Sequence, residues 1–172
     1  VYIKNWSYFP KLLTTNLFAG GGKESNFYRP VQSLTYMFDY SIWRLKPFGY
    51  HLTNTIFHIL VAILSYMFLQ GLVGNRKDFQ STTSRIKNPG SRIKSLSNFL
   101  SIPFLTALFF VVHPIHTEAV TYISGRADSL ASIFCLLSLI LFLKYTRQKR
   151  FPFYLLALCS FILALLSKEW AM

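Results

Sequence analysis

Acidic residues are scarce in this chain, and charged residues of either sign are few. Of its 172 residues only 6 are Asp or Glu, against 18 Lys or Arg, and charged residues make up 14% of the sequence. An average soluble domain carries roughly a quarter charged residues. Hydrophobic residues make up 52% of the chain, and its mean hydropathy is +0.36. The composition argues against a disordered chain, a collagen-like fibre and a water-soluble globule, and it favours a membrane protein.

Cysteine and the common catalytic motifs are also nearly absent. The 2 cysteines, Cys135 and Cys159, each lie inside an apolar segment, which predicts small buried side chains and no disulfide framework. There is no glycine-rich phosphate loop, nucleophile elbow or CxxC pair. The formal charge of +12 does not predict a nucleic-acid partner, because the basic residues lie between apolar runs and form no single solvated face.

Four apolar runs are long enough, with their flanks, to cross a membrane as helices of roughly 20 residues. They cover about 50–72, 96–112, 127–145 and 153–172, and Pro103 interrupts the second. The alternative, buried helices of a soluble core, would leave too few polar faces in a chain of this length. The predicted fold is therefore an all-α, polytopic helical membrane bundle with about four transmembrane helices over residues 50–172.

The basic residues orient these spans. The segment between the first two runs and the one between the last two are rich in Lys and Arg, whereas the loop at 113–128 holds a single basic residue, Arg126. By the positive-inside rule the two basic segments are cytoplasmic and the 113–128 loop lies on the other side. The first basic segment, between the first two runs, is predicted to contact lipid headgroups.

Residues 1–49 differ from the rest of the chain because they are rich in aromatic side chains. This composition is typical of a segment that lies at a membrane surface. From Pro30 to Leu45 a proline in the first turn and apolar residues at spacings of three and four predict an amphipathic helix, with the apolar positions Val31, Leu34, Phe38 and Ile42. We expect it to lie flat on the outer surface.

Two patterns predict how the spans pack. Small residues recur at spacings of three or four in the fourth run (Ala157, Ser160, Ala164, Ser167) and in the third (Asp128, Ala131, Ser132, Cys135, Ser138), which predicts close helix contacts. The first run carries the polar stripe His51, Asn54, His58 and Ser65. Polar side chains at this depth turn toward protein, so a polar interior is expected.

Ionisable residues gather at the predicted outer ends of the spans. Those at the ends of spans that face the bundle interior are candidates for function, and the group comprises Arg29, His51, His113, His116, Glu118, Arg126, Asp128, Lys168 and Glu169. A structural role is the alternative for several: Lys168 and Glu169 as an interfacial pair, and Asp128 in the first turn of a helix.

The sequence HPIHTE contains residue types that bind metal ions, but the spacing of its two histidines does not support a metal site. Pro114 keeps His113 out of any helix that contains His116, so the regular geometry of an HExxH site is missing. We predict no metal here, and hydrogen bonding within the loop or contact with a phosphate or sugar instead.

Three blocks in order resemble a known family. They are YRPVQSLTYMFDYSIWRLKPFGYHLTNTIFHIL at 28–60, HPIHTEAVTYISGRADSLASIF at 113–134 and LLSKE at 165–169. They are similar to the membrane domain of the transmembrane and TPR-repeat-containing O-mannosyltransferases and their bacterial relatives. The resemblance implies a GT-C-type glycosyltransferase that takes a mannose-like sugar from a polyprenyl-phosphate carrier and gives it to a protein or glycan on the non-cytoplasmic side.

The resemblance also implies roles for residues. The catalytic acidic pair is expected to precede Val1, so we predict that the chain is a fragment, inactive alone, and that Asp39 is not the base. Arg29 and Arg126 are the candidates for the lipid phosphate, since guanidinium suits phosphate oxygens. His113, His116, Glu118 and Asp128 are expected in the same pocket. No cofactor is implied.

A non-catalytic reading remains open beside this one. A scaffold for TPR repeats, or a transporter whose polar stripe lines a pathway, would also be a multi-span membrane protein. Membrane lipids are expected partners under each reading, and a bacterial inner membrane is favoured over an endoplasmic reticulum membrane.

Overall fold

The computed structural model describes residues 4, 6–12, 28–83, 102–114 and 120–168. Over these ranges the chain forms helices and no strand, which confirms the all-α class. After a 3-10 turn at Trp6–Tyr8 the helices are α1 (Phe9–Leu12), α2 (Pro30–Trp43), α3 (Pro47–Thr83), α4 (Ile102–Val112), α5 (Arg126–Gln148) and α6 (Phe151–Ser167), with a second 3-10 turn, Ile123–Gly125, before α5.

Among the residues that the structure describes, two helices are long and apolar enough to cross a membrane. They are Pro47–Val73, with 27 residues, and Ile123–Gln148, with 26, and they correspond to the first and third predicted spans. α6 has 17 residues, about 26 Å at 1.5 Å per residue, and α4 has 11. The second and fourth spans stay predictions, and residues 96–101 and 169–172 of those spans lie outside the described part of the chain.

The contacts give the direction of each helix. The start of α5 reaches the start of α3, where Arg126 donates to the Tyr50 carbonyl, and the end of α5 reaches the end of the span, where Arg147 donates to the Gly71 carbonyl. The two helices therefore run parallel. α4 and α6 run antiparallel to them, as the stacking of His58 on Phe110 and the ion pair of Asp128 with Lys168 show. The loop before α5 and the α5–α6 turn thus lie at opposite ends of the bundle.

Among the described helices, α5 and α6 share the most extensive contact, and small residues make it possible. All four predicted seam residues of α6 are buried: Ala157, Ser160, Ala164 and Ser167. Ser138 of α5 donates a hydrogen bond of 2.8 Å to the Ala157 carbonyl. The predicted seam on α6 is confirmed, since side chains this small let the two backbones approach.

The buried face of α2 is polar, opposite to what its amphipathic pattern suggests for a core-facing helix. Gln32, Ser33 and Asp39 are buried with Met37, while Phe38 is 57% and Ile42 55% exposed. Phe38 and Ile42 line an apolar groove of about 470 Å³ between α2 and α3. The helix packs through its polar side because its partners in the bundle are themselves polar.

The two cysteines are free and exposed, so the prediction that they are buried is wrong. Both lie on helix faces that the described part of the bundle leaves uncovered. An apolar helix in lipid does not need to bury its small side chains against protein.

A glycine is required where α3 begins. A Cβ on Gly49 would lie 2.1 Å from Cγ of Trp43, the last residue of α2, so we expect Gly49→Ala to lower the free energy of unfolding by about 2 kcal/mol through overpacking. Thermal unfolding in detergent measures this. Gly71→Ala is the matched control, because its Cβ would meet Leu143 at 3.8 Å, an ordinary contact, and Ala favours a helix interior over Gly. Equal melting temperatures for the two variants would contradict the expectation.

Candidate functional site

A buried arginine joins α2, α3 and α5 at one end of the bundle. Arg126 is 0% exposed, and each nitrogen of its guanidinium has a partner. Nε donates to Oδ1 of Asn54 at 2.8 Å, Nη1 to Oγ1 of Thr35 at 3.3 Å, and Nη2 to the Tyr50 carbonyl at 3.2 Å. The polar interior predicted from the stripe on α3 is confirmed here, with Arg126 at its centre.

The charge of Arg126 is balanced by Asp39 of α2. Nη2 lies 2.5 Å from Oδ2 of Asp39, and the side chain of Asp39 is 2% exposed. The hydroxyl of Thr53 donates to the other carboxylate oxygen at 2.9 Å. A buried carboxylate without a cation would be costly, so the pair accounts for the presence of Asp39 on the inner face of α2.

Aromatic rings surround the guanidinium on its remaining sides. Its Cζ lies 4.7 Å from the ring centre of Tyr36 and 5.8 Å from that of Phe57. These distances fall within the range of cation–π contacts. Burial raises the pKa of the Tyr36 phenol above its usual 10.0, against the lowering effects of the Gln32 hydrogen bond and the Arg126 charge. The hydroxyl therefore stays protonated and available as a donor.

Side chains of α2 and α3 hold the backbone of residues 120–125, the last part of the loop before α5. Four side chains bind backbone carbonyl groups of this segment. From α3, His51 binds the Val120 carbonyl at 3.4 Å, through Nδ1 in the tautomer that carries its proton there, and Asn54 donates to the Tyr122 carbonyl at 3.3 Å. From α2, Tyr36 donates to the Ile123 carbonyl at 2.8 Å and Gln32 to the Ser124 carbonyl at 3.0 Å. We call residues 120–125 the pinned loop. Because these bonds go to backbone carbonyl groups, they fix the position of the loop's backbone.

A groove lies on another face of α5, beside α3 and α4. It has a volume of about 390 Å³ and an apolar wall that includes Val61, Phe110, Ala131 and Cys135. Asp128 and Lys168 line it as well and form an ion pair with each other, with side chains 56% and 22% exposed. The arrangement offers an apolar channel with a partly exposed cation at one end.

The structure does not bring all the predicted site residues together; His51 binds the pinned loop, as described above. Arg126 lies in the buried network, and Asp128 lies in the groove with Lys168. His113 packs edge-on against Phe109 at 5.1 Å between ring centres, and half-buried Arg29 precedes α2. His116, Glu118 and Glu169 lie outside the described residues. Lys168 forms an ion pair with Asp128, and the predicted Lys168–Glu169 pair stays a prediction because Glu169 lies outside the described residues.

The predicted lipid-phosphate contacts of Arg29, His113, His116, Glu118, Arg126 and Asp128 stay predictions. Within the part of the chain that the structure describes, no group of His, Cys, Asp and Glu could hold a metal ion.

Sequence reasoning missed the polar face of α2. Gln32, Tyr36 and Asp39 recur at spacings of four and three, which places them on one side of a helix. That spacing was a usable signal for the buried face of α2. The prediction that α2 lies flat on the outer surface stays a prediction.

Comparison with known proteins identifies the chain. It is 41% identical over 121 residues to the Drosophila melanogaster protein O-mannosyl-transferase Tmtc3, 34% over 142 residues to the Caenorhabditis elegans protein O-mannosyl-transferase F38B6.6 and 37% over 138 residues to the human protein O-mannosyl-transferase TMTC1. These matches cover 70%, 83% and 78% of the chain. The chain belongs to the TMTC family of O-mannosyltransferases. No family model and no solved structure matches it.

The matched region is a small part of these TMTC relatives. It spans 12%, 17% and 13% of their lengths, in the order given. These matches confirm the family that the three sequence blocks predicted. The relatives' names describe O-mannosyltransferases, which are glycosyltransferases. The two candidate spans among the described residues and the TMTC relatives together support a membrane protein. The choice between bacterial and endoplasmic reticulum membranes stays a prediction.

Proposed function

We propose that this chain is part of a membrane glycosyltransferase that transfers mannose from a polyprenyl-phosphate carrier to a hydroxyl of a protein acceptor. The relatives' names support the sugar and the acceptor. The groove is the observation that supports a polyprenyl-phosphate donor, because its apolar wall suits a polyprenyl chain and Lys168 suits a phosphate.

The groove matches both ends of such a donor. A lipid chain gains free energy by burying its apolar surface against apolar side chains, and the groove wall is formed by residues such as Val61, Phe110 and Leu136. The ammonium of Lys168 has three donors, so it can keep Asp128 as a partner and still donate to a phosphate oxygen. Asp128 thereby holds the cation at the mouth of the groove.

The transfer step needs a base, a nucleophile and a leaving group. A carboxylate takes the proton of the acceptor hydroxyl, the hydroxyl oxygen bonds to the anomeric carbon with inversion, and the bond from that carbon to the phosphate oxygen breaks. The lipid phosphate leaves with the electron pair, and cationic groups stabilise its charge. Arg29, His113, His116 and Glu118 are proposed to shape the phosphate and sugar pocket. The carboxylate that acts as the base is not assigned to any of these four residues.

The reaction is proposed for the non-cytoplasmic side of the membrane. The loop before α5, with its single basic residue, and the basic α5–α6 turn lie at opposite ends of the bundle, which agrees with the charge asymmetry of the sequence. The Asp128–Lys168 pair lies at the same end as the loop before α5.

A transfer assay on the full-length protein with polyprenyl-phosphate mannose tests this function. We expect Lys168→Gln to raise the KM for the donor about tenfold, since a hydrogen bond to a charged group is worth about 1.5–3 kcal/mol and about 1.4 kcal/mol corresponds to a factor of ten. Lys144→Gln is the matched control, because Lys144 is exposed near the other end of α5. An unchanged donor KM in Lys168→Gln would remove the groove from the donor site.

A further inference from the structure

Arg126 has the features of a structural cation and not of an exposed ligand. It is 0% exposed, and its guanidinium already forms an ion pair with Asp39 and hydrogen bonds with Asn54, Thr35 and the Tyr50 carbonyl. A phosphate could reach it only if these bonds were broken and the site opened. The donor groove also lies on another side of α5, because Arg126 and Asp128 are two residues apart and so point about 200° apart around the helix.

The ion pair of Arg126 with Asp39 is also connected to the pinned loop. Asp39 belongs to α2, Arg126 begins α5 directly after the pinned loop, and Asn54 of α3 binds both Arg126 and the loop carbonyl of Tyr122. Tyr36 likewise binds the loop carbonyl of Ile123 and presents its ring to Arg126. The ion pair and the pinned loop therefore share side chains, and a shift of one must move the other.

We propose that Asp39 and Arg126 are positioning residues, which fix the pinned loop against α2 and α3 and affect sugar transfer only through that loop. The proposal rests on the transferase function proposed above. It assigns Asp39 a role outside acid–base chemistry, and it gives Arg126 a role other than contact with the lipid phosphate. The loop connects the HPIHTE segment to the start of α5, which also carries Asp128 of the groove.

Kinetics separate positioning from phosphate binding. In the full-length protein we expect Asp39→Asn and Arg126→Lys each to lower kcat about tenfold to a hundredfold, since small misplacements of a site cost that much, with the donor KM unchanged within about twofold. Asn54→Asp keeps the acceptor for Arg126 but loses the donor to the Tyr122 carbonyl, so it should lower kcat in the same way. The control is Lys46→Gln, an exposed residue of the α2–α3 turn, which should leave both constants unchanged.

Amide hydrogen exchange gives a readout that does not depend on activity. Exchange of the Gly125 amide, which donates to the Tyr122 carbonyl at 2.9 Å within the pinned loop, should rise about tenfold in Asp39→Asn and stay unchanged in Lys46→Gln, because local opening exposes amides that native contacts protect. If Asp39→Asn does not fold, Thr35→Val should move kcat and exchange in the same direction by a smaller factor. It removes the bond of 3.3 Å from Arg126 together with the bond of the Thr35 hydroxyl to the Gln32 carbonyl within α2, and it leaves the Asp39–Arg126 pair in place.

The outcomes distinguish the two proposals. A rise in donor KM at constant kcat in Arg126→Lys would show that Arg126 contacts the donor, and a loss of kcat without faster exchange in the loop would show that Asp39 acts by another route. Either result overturns the positioning proposal. Absence of transfer by the wild-type protein overturns the proposed function instead, and the exchange measurement then still decides whether the pair fixes the loop.

Discussion

Arg126→Met is expected to lower the free energy of unfolding by about 3–5 kcal/mol, the cost of breaking a buried ion pair by removing one partner. The carboxylate of Asp39, 2% exposed, would remain buried without its cation, and Asn54 would lose the donor that binds its Oδ1. Methionine fills much of the volume of the arginine stem, so the loss reflects charge and hydrogen bonding more than an empty cavity. Unfolding by denaturant in detergent micelles, followed by circular dichroism, measures the change.

Two comparisons make this expectation specific. Arg44→Met applies the same substitution to an exposed arginine just after α2 and should change stability by no more than about 0.5 kcal/mol. The double variant Asp39→Asn with Arg126→Met removes both charges, so it should be more stable than Arg126→Met alone. A double variant less stable than the single one would show that the two residues do not act as a pair.

The contact of α5 with α6 should be equally intolerant of bulk. Ala164 is 1% exposed in this contact, and leucine there adds three carbon atoms where the backbones are close, so we expect Ala164→Leu to lower the free energy of unfolding by about 3 kcal/mol. The melting temperature in detergent reports the loss. Cys159→Leu is the matched control, because Cys159 lies on the exposed side of the same helix. Similar losses in both variants would mean that α6 does not depend on a small-residue seam.

The helices themselves were well predicted, because the patterns behind them are local. Pro30 in the first turn of α2, the apolar run of α3 and the small residues of α6 each depend on neighbours within a few positions in sequence. Helical periodicity converts such spacings into faces without any knowledge of the fold. The polar stripe of α3 followed the same logic, and Asn54 and His58 are indeed buried.

The direction in which α2 faces could not be predicted in this way. The stripe of Val31, Leu34, Phe38 and Ile42 and the face with Gln32 and Asp39 are equally clear in the sequence, and choosing the buried one requires knowing what the helix packs against. In a soluble protein the apolar stripe would be buried. Here Asp39 turns inward because Arg126, 87 positions later in the chain, supplies the opposite charge.

The groove shows the same limit. The small residues of α5 were expected to form a seam, and Ser138 does bond to α6, but Asp128, Ala131, Ser132 and Cys135 line the groove instead. Their spacing shows that they share a face. It does not show whether a helix or an open channel lies opposite that face, since that depends on the positions of α3 and α4.

Composition and local periodicity alone were enough to predict a helical membrane protein, and the resemblance of blocks such as HPIHTEAV and GRAD was enough to predict its family, because all of these are properties of short stretches of chain. The pairing of Asp39 with Arg126, the pinned loop and the place of Lys168 beside Asp128 were decided only by the folded chain. Each joins residues that are far apart in sequence, and the free energy that holds them together exists only when the helices have brought opposite charges, or donors and acceptors, within bonding distance.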